Sequence, residues 1–453
     1  MKTAVRLSGR IGALGLAAFL ALPAWAQDAA LQAPAADAPT PSVDKGDTAW
    51  MMTSTVLVLM MILPGLALFY GGLTRAKNML STMTQIGTAA AIAILVWVGW
   101  GYTMAFGDGG NAFVAGFGKL FLKGVTSAST APTFSEGVAI PEYVFVCFQM
   151  TFAAITVALV LGSVVERMKF AATVIFSIVW LTIVYFPIAH MVWAAGGLFF
   201  EMTPAALDFA GGTVVHINAG VSALVAALIL GKRIGYPREP MAPHSMTLTA
   251  VGTGLLWVGW FGFNAGSALE ANGSAALAMI NTFVATAAAG LAWMVAERAA
   301  GHKPSALGFC SGIVAGLVAV TPAAGNSGPF GAIVLGAVAA FVCYLAVAVL
   351  KPRLGYDDSL DAFGIHGIGG MVGALGTGIV YAPSLGGPGG DDYGIGAQMV
   401  TQALTVGTTI LWAAVGTAVA IFIAKAVTGL RVTADVEREG LDLGEHGERA
   451  YNF

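Results

Sequence analysis

The chain alternates between long apolar blocks and short polar breaks. Each block runs for about 18–25 residues with almost no charged side chain, the length that a helix needs to cross ~30 Å of hydrocarbon. Eleven such blocks predict an all-α polytopic membrane protein with eleven transmembrane helices. The predicted spans are 49–74, 79–107, 141–165, 170–194, 211–231, 246–266, 274–298, 305–322, 329–350, 363–382 and 397–427.

The positive residues favour one orientation in the membrane. Beyond residue 26, 15 Lys and Arg residues follow the odd-numbered spans or lie in the tail, and only Lys45, Lys119 and Lys123 lie elsewhere. Because Lys and Arg favour the cytoplasm, the N-terminus is expected outside and the C-terminus inside. An odd number of spans requires this same arrangement.

The N-terminus has the pattern of a secretory signal peptide. Lys2, Arg6 and Arg10 precede a short apolar stretch at 11–22, and a small-residue cleavage motif follows at 24–26. The next segment is rich in Ala, Pro and Asp, which is typical of a poorly ordered lead-in. The predicted organisation is a signal peptide (1–26), a periplasmic lead-in (27–48), an eleven-helix domain (49–427) and a cytoplasmic tail (428–453). The tail is either a solvated segment or a docking element.

Composition agrees with a membrane protein. The chain is 57% hydrophobic and 10% charged, whereas soluble domains carry about a quarter charged residues. A net charge of −3 argues against nucleic acid as a partner. Three cysteines within apolar blocks give neither a disulfide framework nor metal-ligand spacing, so no cofactor is expected.

Two histidines lie inside glycine-flanked spans. His216 stands in GGTVVHINAG of span 5 and His366 in FGIHGIGG of span 10. Five spans separate them, so the second would run through the membrane in the opposite direction. Inverted repeats of this kind place a substrate path at their interface near the membrane midplane. The pattern predicts a shared pore-lining role, with two satisfied structural histidines as the alternative.

Other polar and aromatic residues lie near the span ends. Asp208 precedes span 5, where it either caps the helix N-terminus or adds negative potential for a cation at the outer mouth. Aromatic side chains at these positions are either interfacial anchors or a site that binds a desolvated cation, at ~0.5–2 kcal/mol per contact. The residues concerned are Phe148, Phe152, Trp193, Trp260 and Phe263, with Ser267 close by as a hydrogen-bond acceptor.

Eight segments in order along residues 48–453 carry a family resemblance. They are PGLALFYGGL (64–73), FQMTFAAITVALVLGSVVERMKF (148–170), PIAHMVW (187–193), LDFAGGTVVHINAG (207–220), GWFGFNAGSA (259–268), GLVAVTPAAG (316–325), DAFGIHGIGGMVG (361–373) and GLRVTADVEREGLD (429–442). On these residues the chain closely resembles the ammonium transporter family (Amt/Mep/Rh), most of all its bacterial Amt branch.

The resemblance implies a fold and an assembly. We expect an inverted repeat of five plus five helices with an eleventh helix, and a homotrimer in a bacterial inner membrane with one pore in each subunit. It implies ammonium or ammonia as substrate, with methylammonium as a further candidate, and a non-enzymatic transporter. A PII-type signalling protein would dock on the cytoplasmic loops and tail and block the pores.

The resemblance also assigns roles to residues. Phe148, Phe152, Trp193 and Ser267 would recruit ammonium, and Phe152 and Phe263 would form a gate beneath them. His216 and His366 would be the twin-His pair of the pore, and Asp208, Trp260 and Thr321 would support it.

The expected mechanism is recruitment of ammonium, deprotonation at the gate and passage of ammonia, with net movement of the proton. A passive ammonia channel is the alternative. An ammonium sensor acting through a PII-type partner is another, although sensors of this type carry an appended signalling domain and the chain ends about 26 residues after its last span. A haem or metal enzyme would require further histidine, carboxylate or thiolate ligands at matching depth.

Overall fold

The computed structural model describes residues 41–452. The predicted signal peptide and residues 27–40 of the lead-in lie outside this range. Eleven helices within it are long and apolar enough to cross a membrane, which confirms the predicted number of spans. These helices are α1 (Lys45–Leu73), α2 (Ala76–Phe106), α3 (Glu142–Leu161), α4 (Phe170–Trp193), α5 (Gly212–Leu230), α6 (Met246–Gly266), α7 (Gly273–Ala299), α8 (Ala306–Ala323), α9 (Pro329–Leu354), α10 (Phe363–Val380) and α11 (Ile395–Thr428).

The end of α3 is one of three span boundaries that differ from the prediction by four residues, with the start of α1 and the end of α9. The apolar pattern continues to residue 165, but the helix ends at Leu161. Val164 and Val165 are apolar because the following turn is itself buried, each being 1% exposed. A Cβ atom at Gly162 would lie 2.5 Å from the ring of Tyr70, so this turn requires glycine. Hydrophobicity here reports burial, and it does not distinguish a helix from a buried turn.

Short strands order the loops on the outer side, the side of the N-terminus. Strand β1 (Ser42–Val43) pairs in parallel with β5 (Val138–Pro141), which pairs antiparallel with β4 (Thr130–Pro132). A separate hairpin joins β2 (Gly110–Asn111) to β3 (Val114–Ala115). The chain segment before α1 is therefore tied to the long loop between α2 and α3.

The C-terminal tail packs against the loops on its own side of the membrane spans, opposite to the side of the N-terminus. It forms two short helices, α12 (Ala434–Glu439) and α13 (Leu441–His446). The Glu437 carboxylate accepts hydrogen bonds from the Ile234 amide (2.6 Å) and from Arg431 Nη2 (2.7 Å). Asp442 accepts the backbone amide of Ser81 at 2.7 Å, near the start of α2. The tail is thus packed against the rest of the chain.

A buried ion-pair network on the side of the C-terminus joins loops from the two halves of the chain. Arg233 contacts Glu166 at 2.9 Å and Asp357 at 2.8 Å, and Arg75 contacts Glu166 at 2.9 Å. Burial opposes ionisation of Glu166, but Arg233 and Arg75 outweigh it and hold the pKa of this carboxyl below its usual range. Removing one partner of such a pair leaves a buried charge and costs about 3–5 kcal/mol.

Candidate functional site

Helices α5 and α10 cross at the centre of the molecule, and each begins with a π-helical turn that carries its histidine. These turns cover Gly212–Ile217 and Phe363–Gly367. A Cβ atom at Gly220 would overlap the backbone nitrogen of Gly367, so the two helix backbones touch directly. The glycines beside the histidines are therefore required by a close helix crossing.

The crossing brings the two predicted pore histidines together. The Nδ1 atoms of His216 and His366 lie 3.3 Å apart, and the ring centroids are 5.3 Å apart with the planes inclined at 21°. Both residues are buried. Only one proton fits between the two Nδ1 atoms, so one ring donates to the other and each Nε2 atom lies on the far side of its ring. No group in residues 41–452 hydrogen-bonds His216 Nε2.

A narrow apolar cavity contains the histidine pair. The centre of a water-sized sphere can occupy about 10 Å³ inside this cavity. That is roughly the room that a single water or ammonia molecule needs. Apart from the two histidines and the indole of Trp260, every lining side chain is a hydrocarbon or a thioether. The lining residues are Met61, Leu66, Phe69, Ile155, Leu159, His216, Leu256, Trp260, Phe263, Val314 and His366.

Two stacked phenylalanines close the outer end of this cavity. The rings of Phe152 and Phe263 have centroids 4.2 Å apart and an interplanar angle of 24°. Phe263 also lies 6.0 Å from His216. The predicted gate pair is thus in ring contact, next to the histidines, and both rings are buried.

The predicted outer residues surround the same Phe152 ring. Phe148 meets it edge-on at 4.9 Å and 63°, and Trp193 meets it edge-on at 5.7 Å and 83°. The Ser267 hydroxyl donates to the Phe263 carbonyl at 2.8 Å, which leaves its oxygen lone pairs available as acceptors. The structure therefore places the rings of Phe148 and Trp193 against Phe152, and the Ser267 hydroxyl against the backbone of Phe263.

Asp208 lies just before the N-terminus of α5 and accepts hydrogen bonds from backbone amides there. Its carboxylate accepts the amides of Gly211 (3.2 Å), Thr213 (3.1 Å) and Val214 (3.1 Å), and its carbonyl accepts Trp193 Nε1 at 2.8 Å. Burial raises the pKa of this carboxyl to about 6, and the amide hydrogen bonds oppose the rise. Both roles considered for Asp208 are compatible with this geometry, because a cap at this position also carries a charge close to the outer site.

Trp260 packs against the ring of His216 and is itself held by Thr321. The indole stacks on the imidazole with centroids 5.4 Å apart and planes inclined at 21°. Trp260 Nε1 donates to Thr321 Oγ1 at 2.9 Å, and that hydroxyl donates to the Leu317 carbonyl at 2.7 Å. This chain of contacts fixes the plane of His216.

The sequence interpretation missed one acidic residue of this arrangement. Asp358 precedes His366 by eight residues, the same offset that separates Asp208 from His216. Its Oδ2 atom accepts the amide of Phe363 at 2.8 Å, at the start of α10. The equal offset was the signal available in the sequence. Asp358 was hard to recognise because it lies in a loop that also contains Asp357 and Asp361.

Metal ligands do not gather in the described part of the chain. Within residues 41–452 no group of three or more His, Cys, Asp or Glu side chains could hold a metal ion. Cys147, Cys310 and Cys343 are each free.

Comparison with known proteins gives a consistent picture. Residues 49–451 match the model of the Ammonium Transporter Family. An ammonium transporter of Aquifex aeolicus (strain VF5) is 49% identical over 412 residues, covering 91% of this chain and 94% of the relative. The crystal structure of Saccharomyces cerevisiae Mep2 superimposes with a TM-score of 0.78 at 36% identity, covering 86% of this chain and 91% of that one. The structure of a sensor Amt protein does so with a TM-score of 0.80 at 28% identity, covering 88% and 98%. On the whole-length match, with the histidine pair in its apolar cavity, the chain belongs to the ammonium transporter family.

Proposed function

We propose that this ammonium transporter binds ammonium at the outer aromatic cluster, removes a proton there and passes ammonia between His216 and His366. The observation that carries the proposal is the hydrogen-bonded histidine pair in an apolar cavity beneath stacked phenylalanine rings. Such a cavity suits a small neutral molecule that forms hydrogen bonds, and it is hostile to a bare ion.

The outer cluster has the chemistry to recruit ammonium. Phe148, Phe152 and Trp193 offer aromatic rings to a cation, at about 0.5–2 kcal/mol for each contact. The Ser267 hydroxyl oxygen accepts a hydrogen bond, and the Asp208 carboxylate favours positive charge at the end of α5. These contributions offset only part of the cost of removing water from the ion, so recruitment is expected to be weak and reversible.

The proposed pore distinguishes ammonium from potassium because only ammonium has a proton to release. Taking any monovalent ion out of water costs several kcal/mol even in a relaxed protein site. Ammonium escapes this cost when it gives up a proton and enters as ammonia, whereas potassium has no proton to give. In this proposal the stacked rings of Phe152 and Phe263 separate the outer cluster from the apolar cavity, and deprotonation occurs at this boundary.

The proton then follows the ammonia through the histidine pair. His216 accepts it on the free Nε2, the shared Nδ1 proton moves to His366, and His366 releases its Nε2 proton on the inner side. One proton enters and one leaves. Transport carries net charge in this scheme, and rearrangement of the ring protons is needed before the next cycle.

The assembly and its regulation are proposed from the family resemblance. The chain would form a homotrimer in the bacterial inner membrane with one pore in each subunit, and a PII-type protein would bind its cytoplasmic face. The docked tail supports the second point, because it gives that face an ordered surface next to the loops that contain Arg75 and Arg233.

Reconstitution tests the transport function. In liposomes containing the purified protein, an inward gradient of isotopically labelled ammonium is expected to drive nitrogen uptake much faster than in protein-free liposomes. An equal potassium gradient is expected to produce no difference between the two preparations. Equal rates with and without protein in the ammonium experiment would contradict the proposal.

A further inference from the structure

Helix α11 buries a row of polar side chains on one face near its N-terminus. Gln398, Thr401 and Gln402 are each 2% exposed. Thr401 and Gln402 follow Gln398 at the spacing of neighbours on a helix surface, so the three side chains share one face. Val400 and Leu404, on the opposite face, are exposed. An amide side chain is costly in hydrocarbon unless it is hydrogen-bonded, so the two glutamines require partners within the protein.

Gln402 binds the backbone of Leu207 through both ends of its side-chain amide. Its Oε1 atom accepts the Leu207 amide at 2.8 Å, and its Nε2 atom donates to the Leu207 carbonyl at 3.0 Å and to the Ala374 carbonyl of α10 at 2.6 Å. These partners also set the orientation of the amide, because the reverse orientation would place Oε1 against two carbonyl oxygens. Both backbone polar groups of Leu207 are therefore fixed to α11, and the same side chain ties α11 to α10.

The same face of α11 holds the residues just before Leu207. Gln398 Nε2 donates to the Ala205 carbonyl at 2.8 Å and to Gln402 Oε1 at 3.2 Å. Thr401 Oγ1 donates to the Pro204 carbonyl at 3.0 Å. The loop segment 204–207, which leads into α5, is thus hydrogen-bonded to α11 along its length.

Leu207 precedes the residue that holds the indole of Trp193. The Asp208 carbonyl accepts Trp193 Nε1 at 2.8 Å, and the Trp193 ring meets Phe152 edge-on at 5.7 Å. Because Leu207 and Asp208 are adjacent, a shift of the Leu207 backbone also displaces this carbonyl. Attraction of a cation to an aromatic ring depends on its distance from the ring centroid, so movement of the indole weakens ammonium binding.

We infer that Gln402 is a positioning residue of the outer site, through which α11 fixes Leu207, the Asp208 carbonyl and the indole of Trp193. The inference rests on the proposed function, in which the outer aromatic cluster recruits ammonium. The side-chain amide of Gln402 is occupied by backbone partners, so it acts on ammonium only through Trp193. Helix α11 contributes no residue to the aromatic cluster or to the histidine pair, and this role gives it a part in recruitment.

The test separates apparent affinity from maximal rate. Gln402→Leu keeps an uncharged side chain of similar size and removes every hydrogen bond of the amide. The protein is reconstituted in one orientation, checked by protease access to the tail, and initial uptake of isotopically labelled ammonium from the outer face is measured above that of protein-free liposomes. We expect the half-saturating ammonium concentration to rise about tenfold. Maximal uptake per folded protein should change less than about twofold, because the gate and the histidine pair keep their contacts.

A double-mutant cycle shows whether Gln402 acts through Trp193. Trp193→Phe keeps an aromatic ring and removes the Nε1 donor, which breaks the link between this ring and Asp208. In this background Gln402→Leu is expected to change the half-saturating concentration by less than about twofold. A residue that only stabilised the fold would have the same effect in both backgrounds.

Two further variants keep the inference falsifiable. Gln85→Leu makes the same chemical change at a buried glutamine of α2 that donates to the Met168 carbonyl on the side of the C-terminus, and it is expected to leave the half-saturating concentration unchanged. Gln398→Leu leaves Gln402 in place and removes the bonds to Ala205 and to Gln402 Oε1. It is expected to raise the half-saturating concentration about threefold, and this readout remains if Gln402→Leu does not fold.

The possible failures point to different claims. An unchanged half-saturating concentration in Gln402→Leu or, if that variant does not fold, in Gln398→Leu would overturn the role of Gln402. An equal rise with and without Trp193→Phe, or an equal rise in Gln85→Leu, would overturn it as well. Wild-type uptake would survive each of these results. A wild type that takes up ammonium no faster than protein-free liposomes would instead contradict the proposed function.

Discussion

We expect a potassium gradient to drive a current through the His216→Asp variant that is far larger than any current through the wild type. The imidazole lies in a cavity whose remaining walls are almost wholly apolar, and a carboxylate there brings in water and negative charge. The several kcal/mol that keep a bare cation out are then largely removed, so potassium conductance should rise by about 100-fold or more. His366→Asp is expected to act in the same direction. The measurement is current in proteoliposomes under a potassium gradient without ammonium.

A matched control separates this effect from a general change in charge. His302 lies exposed in the loop between α7 and α8, and His302→Asp makes the same chemical change outside the pore. We expect this control to exclude potassium as the wild type does. If both pore variants also exclude potassium, the source of selectivity is not the histidine pair.

The second large effect is expected at Asp208. Asp208→Ala leaves three backbone amides at the start of α5 without their acceptor and removes the charge beside the outer site. Hydrogen bonds to a charged group contribute about 1.5–3 kcal/mol each, so ammonium flux should fall by about 100-fold or more. Asp208→Asn keeps one acceptor oxygen and should retain more flux than Asp208→Ala. Initial flux rates at equal amounts of folded protein provide the measurement.

The pH profile distinguishes charge from capping at Asp208. Because burial raises the pKa of this carboxyl to about 6, it takes up a proton as the outer pH falls through that value. Ammonium stays protonated over this range, so the supply of substrate does not change. Wild-type flux is expected to decline below pH 6, and the residual flux of Asp208→Asn is expected to lack this step. A wild-type profile that is flat from pH 7 to pH 5 would show that the charge is not required.

The fold could be predicted from the sequence to the level of its spans. In a bilayer a helix must satisfy its own backbone, so block length and cation distribution were enough to predict eleven helices. The end of α3 could not be predicted, because Val164 and Val165 are buried in a turn against Tyr70 and are as apolar as a helix interior. Short strands such as β1 carry too few residues for a periodic pattern.

The sequence predicted which residues form the candidate site, but only part of their arrangement. Glycine-flanked histidines predicted a shared pore-lining role, yet no residue pattern predicted the π-helical turns that carry them or the contact between their Nδ1 atoms. The stacking of Phe152 on Phe263 joins α3 to α6, which lie far apart in the chain. The family resemblance supplied those pairings. It did not lead to Asp358, whose partner-free oxygen is visible only once the fold surrounds it.

The central claim is that ammonium crosses as ammonia between the two histidines while its proton crosses with it. Simultaneous recording of ammonium-evoked current and nitrogen flux in the same proteoliposomes tests this claim most directly. We predict one elementary charge moved for each ammonia delivered above the rate of protein-free liposomes, in which ammonia crosses the bilayer without a current. Full nitrogen flux with no current would contradict the account and identify the transporter as a passive ammonia channel.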